Sequence, residues 1–287
     1  MIAARLFGRR VPAGGRTELL LLHPAGSLRY DPLALRWVAL ARPARRLHVG
    51  SRVAFEDLGS AEVVRVLDDG AREVAFDLRV PFAQLLDRAG RMPLPPYIRN
   101  ESQEAQERYQ TVFARVPGSV AAPTASLHFT AALLEALERR GIELIRLSLE
   151  VGLGTFRPIA HERLDEHTMH AEAYTIEPRA ADAIERARRE GRRIVAAGTT
   201  VVRALEGNLR SHGRIRAGAY ETDLFITPGF EFAVVSGLIT NFHLPRSTLL
   251  VLVGAFAGRR RVLDAYARAV AERYRFYSFG DAMLLWR

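Results

Sequence analysis

Up to about residue 90, apolar positions come in short alternating or clustered runs, the pattern of strands with one covered face. Glu18–Leu22, Ala61–Leu67 and Glu73–Leu78 are such runs. Turn-forming residues separate them at Gly14-Gly15, Gly50, Gly59 and Asp68-Asp69-Gly70. Asp-Asp-Gly between two runs predicts a hairpin. Several short strands at this spacing predict a small barrel or sandwich, placed here in a domain over residues 1–90. Met92-Pro93-Leu94-Pro95-Pro96-Tyr97-Ile98 then stiffens the chain, because proline fixes its own φ and drives the preceding residue towards extended backbone. The domain boundary is expected beside it, with a helical stretch over Glu101–Val116.

From Gly118 the period changes, and residues 91–287 are expected to form an α/β domain. Thr124–Arg140 has the spacing of an amphipathic helix closed by Gly141. Ile142–Val151 reads as a strand leading to Gly152-Leu153-Gly154-Thr155-Phe156. Pro178–Glu190 is a predicted helix stopped by Gly191. The strand Arg193–Ala197 is followed by Gly198-Thr199-Thr200 and the helix Val201–Leu209. A last long helix is expected over Val262–Tyr274. Strand, glycine or threonine loop, helix, repeated, is the pattern of an α/β layer.

The chain is organised around Leu238–Thr248, an apolar run that turns through Asn241-Phe242-His243-Leu244-Pro245-Arg246. Ser247 and Thr248 can cap a helix starting at Leu249, and Gly258 can end it. An amide, an imidazole, a guanidinium and two hydroxyls are thus crowded between two apolar elements, an arrangement that suits a site. A proline turn with a satisfied histidine would show the same residues.

Composition narrows the chemistry. The 287 residues hold 41 basic and 32 acidic side chains, a net charge of +9, and every basic one is arginine. Without lysine there is no Schiff base and no lysine general base. Without cysteine there is no disulfide, no thiolate metal site and no cysteine nucleophile. A pI near 10.6 points to a polyanionic partner such as nucleic acid, which arginine grips in bidentate fashion. Arg5, Arg9, Arg10, Arg16, Arg42, Arg45 and Arg46 could form a backbone-binding patch, or simply a solvated surface. The opening residues lack the pattern of a secretory leader, and the longest apolar run, Leu249 to Ala257, is too short for a bilayer. A cytoplasmic monomer without membrane contact is expected.

Several smaller constellations could carry chemistry. Gly198-Thr199-Thr200 ends a strand and opens a helix, where amides and dipole favour an anion, with Arg203 one turn in. A well-capped helix would look the same. Gly152-x-Gly154-Thr155 allows close backbone approach to a ligand, or only a tight turn. His167, His170 and Glu172 have ligand-like spacing but fall short of a metal site; an acid/base role for His170 or Glu172 and a structural role are equally open. His128 sits alone on its predicted helix. The run Tyr274-Arg275-Phe276-Tyr277-Ser278-Phe279 could stack a purine, or anchor the end of the chain in the core.

Taken together, Pro93–Ile98, Arg108-Tyr109-Gln110-Thr111-Val112, Gly118–Ala125, Leu127-His128-Phe129-Thr130, Val151–Phe156, Gly198-Thr199-Thr200, Thr240–Pro245 and Phe279-Gly280-Asp281-Ala282-Met283 occur in an order that resembles the S-adenosylmethionine:tRNA ribosyltransferase-isomerase family of queuosine biosynthesis. The resemblance covers essentially the whole chain. It implies an α/β domain carrying a small β-barrel domain. It also implies transfer and isomerisation of the ribosyl part of S-adenosylmethionine onto 7-aminomethyl-7-deazaguanine at the tRNA wobble position. The product is epoxyqueuosine, and adenine and methionine leave. The partners implied are a tRNA anticodon stem-loop and S-adenosylmethionine as co-substrate, without a metal. On this resemblance His243, Asn241, His170 and Asp281 are the catalytic candidates. Tyr97, His128, Gly152, Gly154, Thr155, Thr199, Thr200, Arg203, Ser247, Thr248 and Phe279 are the substrate-binding ones. Three departures stand out: a further N-terminal stretch of the family is missing, Glu150 replaces a usual histidine, and Ser236 replaces a usual aspartate. A catalytically impaired paralogue that only binds tRNA or S-adenosylmethionine is the alternative these departures raise.

Overall fold

The computed structural model describes residues 1–95, 97–98, 102–152, 159 and 163–287. The chain forms two compact units: Met1–Tyr109 with Ala114–Ala121, and Gln110–Phe113 with Ala122–Arg287.

The first unit is a closed barrel. Strands β1 (Arg5–Val11), β2 (Arg16–Pro24), β3 (Arg36–Arg42), β4 (Arg52–Ala54), β5 (Gly59–Val66) and β6 (Arg72–Leu78) pair antiparallel in the order β2-β3-β6-β5-β4-β1. The pairing of β1 with β2 closes the ring, so the six strands leave little free edge. Alternation explains the inside: on β2 Thr17, Leu19 and Leu21 are buried while Glu18 and Leu20 are half-exposed. The Asp68-Asp69-Gly70 turn joins β5 to β6 as the sequence predicts, with the Gly70 N–H donating to the Leu67 carbonyl. Helix α1 (Phe82–Ala89) stacks Phe82 on Trp37 at 5.1 Å. A short strand, β7 (Gly90–Arg91), then joins β1. This compact unit runs past residue 90, because Arg5 donates to the Leu94 carbonyl and the Ile2 N–H to the Ser119 carbonyl. Among the described residues of the stretch expected over Glu101–Val116, only α2 (Gln103–Arg108) is helical. Of the seven arginines considered for a surface patch, Arg9, Arg16, Arg42, Arg45 and Arg46 are exposed. Arg5 instead pairs with Glu18, and Arg10 donates to the Arg46 carbonyl.

The second unit is α/β. Its elements are α3 (Ala131–Arg139), β8 (Ser148–Glu150), β9 (Glu172–Ile176), α4 (Pro178–Arg189), β10 (Val195–Ala197), α5 (Thr199–His212), β11 (Gly218–Thr222), β12 (Gly237–Asn241), α6 (Thr248–Ala257), α7 (Arg259–Ala271) and β13 (Ala282–Trp286). One sheet runs β10-β12-β13, with β10 and β12 parallel and β13 antiparallel to β12. The other is antiparallel, β11-β9-β8. Val202, Leu205, Val235, Leu238, Phe242, Leu252, Val253 and Phe256 form the centre of its core. At the end of β13, Trp286 remains 42% exposed with the Arg193 guanidinium over its ring.

Several expected elements change. The single helix over Thr124–Arg140 is two pieces, a 3-10 turn at Thr124–His128 and α3, because Thr130 caps α3 by accepting the Leu133 N–H. The strand expected over Ile142–Val151 shrinks to β8. The helix after Gly198 starts at Thr199, and the last long helix starts at Arg259 and ends at Ala271.

Candidate active site

A pocket partly open to solvent, with about 400 Å³ of space including that open solvent, lies within the second unit. Five elements build it. The 3-10 turn and its approach supply Ala122–Ala125, β8 supplies Leu149 with Val151 just beyond it, and the end of β10 supplies Ala197. The first turn of α5 contributes Gly198, Thr199, Thr200 and Val201, and β12 with the turn after it contributes Thr240, Asn241, His243 and Leu249. Its walls are therefore mostly apolar, with four threonines, an amide and an imidazole set among them.

Each polar feature follows from local structure. Gly198 holds φ at +104°, a conformation few side chains tolerate, and donates its N–H to the Ile239 carbonyl. α5 begins beside it without a side-chain cap, so its dipole and first amides serve the pocket. Ser247 caps α6 as the sequence predicts: its hydroxyl accepts the Leu250 N–H and donates to the Leu244 carbonyl. Thr248 does not share the capping. It is the first residue of α6, and its buried hydroxyl has no partner among the described residues.

His243 is buried, with Nε2 2.7 Å from the Thr240 hydroxyl and its backbone N–H donating to the Tyr266 hydroxyl. Burial pushes the imidazole down to about 4, so it is neutral at physiological pH. Burial also pushes the Tyr266 phenol up to about 12. Beneath the turn, Phe242 packs against Tyr266, Tyr274 and Phe276, so Phe276 is a core anchor.

Asn241 donates from Nδ2 both to the Nε2 of His128, at 2.9 Å, and to the Tyr277 carbonyl, at 3.1 Å. A neutral His128 follows, with Nε2 accepting and the proton on Nδ1. Burial lowers its pKa, while the charge of Asp281 opposes that shift. Asp281 accepts the Arg275 backbone N–H and its guanidinium, which hold the carboxyl below its ordinary value. It is a fixed anion. The turn that places it needs Gly280, where a Cβ would stand 2.4 Å from the Arg275 carbonyl oxygen.

Other expected residues lie elsewhere. The Arg203 guanidinium is 1% exposed and spends its donors inside the fold, on Glu172 and on the carbonyls of His170, Thr222 and Leu224. Burial pushes its pKa down and Glu172 pushes it back up. Arg203 is thus a buried clasp between α5 and the β9–β11 sheet and not a lining residue. His170 is exposed and outside the lining; its backbone carbonyl is what Arg203 grips. Phe279 is half-buried and likewise outside the lining. Gly152 directly follows the lining residue Val151, whereas Gly154 and Thr155 lie outside the described residues. Tyr97 belongs to the first unit. Among the described residues no group of three or more histidine or acidic side chains is placed to hold a metal ion. No helix there is long and apolar enough to cross a membrane.

Ser236 clarifies one departure. Its hydroxyl accepts the Ile194 N–H and donates to the Ile194 carbonyl, tying β12 to the start of β10 outside the pocket lining. Glu150, between the lining residues Leu149 and Val151, is itself outside the lining. Sequence reasoning missed Thr240 and the Tyr277 carbonyl. Thr240 stands three residues before His243 in a stretch already singled out; a backbone carbonyl leaves no trace in a sequence.

Comparison with known proteins adds the following. A family profile described as queuosine biosynthesis protein matches residues 1–285. The S-adenosylmethionine:tRNA ribosyltransferase-isomerase of Heliobacterium modesticaldum is 52% identical over 99% of this chain and 82% of its own length. That of Moorella thermoacetica is 51% identical with the same two coverages. A solved structure, the S-adenosylmethionine tRNA ribosyltransferase of Thermotoga maritima, is 34% identical over 99% of this chain and 78% of its own, with a TM-score of 0.46.

Proposed function

Because the chain belongs to the queuosine biosynthesis protein family, we propose that it is an S-adenosylmethionine:tRNA ribosyltransferase-isomerase with its S-adenosylmethionine seated in the pocket of the second unit. The observation that carries the activity is identity near 50% to enzymes of that name across 99% of the chain. That identity favours an active enzyme over an impaired paralogue, as does the structural task of Ser236. The substrates are S-adenosylmethionine and a tRNA carrying 7-aminomethyl-7-deazaguanine at its wobble position, which places the work in the cytoplasm.

The pocket supports a division of labour. Apolar walls suit an uncharged heterocycle, and the uncapped start of α5 with Thr199 and Thr200 suits the methionine carboxylate or ribose oxygens. Asn241 orients the substrate. His243 stays neutral and works through the Thr240 hydroxyl as a hydrogen-bonding group, since an imidazole near 4 is a weak base at pH 7. His128 stands behind Asn241 and outside the pocket lining, held neutral with Nε2 accepting from Asn241 and its proton on Nδ1.

The test is direct. Purified protein is incubated with S-adenosylmethionine and a tRNA bearing 7-aminomethyl-7-deazaguanine, and the digested nucleosides are read by mass spectrometry. Epoxyqueuosine with an equal yield of free adenine is expected. Folded protein that leaves the wobble base unchanged and releases no adenine overturns the activity.

A further inference from the structure

We propose that Asn241 is a donor-selecting subsite: its Oδ1 is fixed as an acceptor by the Tyr277 carbonyl and takes an N–H or O–H of the nucleoside part of the substrate. The proposal rests on the reading of this pocket as the S-adenosylmethionine site. Asn241 ends β12, is 2% exposed and lines the pocket. Its Nδ2 has two hydrogens, and both are committed, one to His128 Nε2 and one to the Tyr277 carbonyl. A carbonyl oxygen only accepts, so the reversed carboxamide would set two oxygens against each other. Tyr277 cannot easily turn away. It is held at φ +71° and donates its own N–H to the Phe242 carbonyl, the residue next to Asn241.

The result is a buried acceptor with its orientation decided from behind. Oδ1 has no hydrogen-bond partner among the described residues. Shielded from solvent, such an atom stays unsatisfied until a ligand donor supplies the bond. An anionic group would meet a lone pair there and is directed instead towards the start of α5. The methionine ammonium is also a poor occupant: among the described residues the lining holds no carboxylate, and one amide oxygen among apolar walls does not compensate a buried cation. The donors that remain are the adenine amine and the two ribose hydroxyls.

Calorimetry with S-adenosylmethionine analogues tests this. Four analogues are needed: lacking the 6-amino group, the 2′-hydroxyl, the 3′-hydroxyl or the methionine amine. Wild type is expected to bind one of the first three at least ~10-fold more weakly than S-adenosylmethionine, as for a buried acceptor left unsatisfied. Which one identifies the donor. In Asn241→Leu that penalty should vanish, the two ligands binding alike. Equal wild-type affinity for all three nucleoside analogues, or a penalty only for the fourth, overturns the proposal, as does a penalty that survives in Asn241→Leu. The wild-type series decides the matter even where that variant does not fold. Leu249→Trp, which fills the pocket, separates the two levels. Unchanged affinity there removes both the pocket reading and this inference; lost binding beside a flat analogue series removes the inference alone.

Discussion

An imidazole that titrates at about 4 when folded and at 6.5 when free carries a stability consequence. Between these values the unfolded chain binds a proton that the folded chain refuses, so stability falls as pH drops through that window. From pH 7 to pH 5 the loss assigned to His243 is about 2 kcal/mol. Urea unfolding at the two pH values should show it in the wild type and show it reduced by that amount in His243→Gln, whose amide can still meet Thr240. An equal loss in both would mean that the ring is not the buried neutral group described. Arg203 makes the opposite kind of case. Arg203→Met strands Glu172, 3% exposed, as a lone buried charge, a change that typically costs about 3–5 kcal/mol. S-adenosylmethionine affinity of the surviving folded protein should be unchanged. Lost affinity at unaltered stability would return Arg203 to the ligand.

At the scale of elements, α5 organises more than its own length. Glu206, 1% exposed, accepts the N–H groups of Ala233, Val234 and Val235 at 3.0 Å each, fixing the approach to β12. Gln in its place offers one oxygen and turns an NH₂ towards a donor, so Glu206→Gln should lower stability by about 2 kcal/mol or more, read by denaturant midpoint. Ser247→Ala should cost about 1 kcal/mol through the lost cap of α6. The cap and the stop at Gly258 were legible because they depend on neighbours in sequence, as was the Asp68–Gly70 hairpin. β9, β11 and β13 were not. β9 is buried on both faces and shows no alternation, and all three exist through pairing with distant strands. Helical spacing placed Arg203 one turn from Gly198 but could not say which side it faced, and the buried partner that claims it lies 31 residues away. The polar turn after β12 was readable as a candidate site. Which atoms it leaves unsatisfied depended on His128, 113 residues distant.

For the whole molecule, the charge of +9 is expected to govern association with tRNA. Each phosphate neutralised should add about 0.9 to the slope of log affinity against log salt. Binding of an anticodon stem-loop should therefore weaken steeply between low and physiological salt. Replacing the exposed pair Arg45 and Arg46 by glutamine should flatten that dependence if the barrel carries part of the phosphate path, and leave it unchanged if the path lies elsewhere. Barrel closure itself was only half visible beforehand. The clustered run Glu18–Leu22 marked a strand, but a sandwich is built from the same runs; the β1–β2 pairing is what decides for a ring.

The two tryptophans fall one to each unit. Trp37 is 1% exposed and stacked on Phe82, while Trp286 is 42% exposed beside Arg193. The chain therefore carries a separate optical label for the barrel and for the α/β unit. Trp37 should emit at short wavelength and resist acrylamide quenching; Trp286 should emit further to the red and be quenched readily. With Trp286→Phe and Trp37→Phe, a single denaturant titration of each protein would follow one unit at a time, and two separated transitions would mean that the barrel and the α/β unit melt independently.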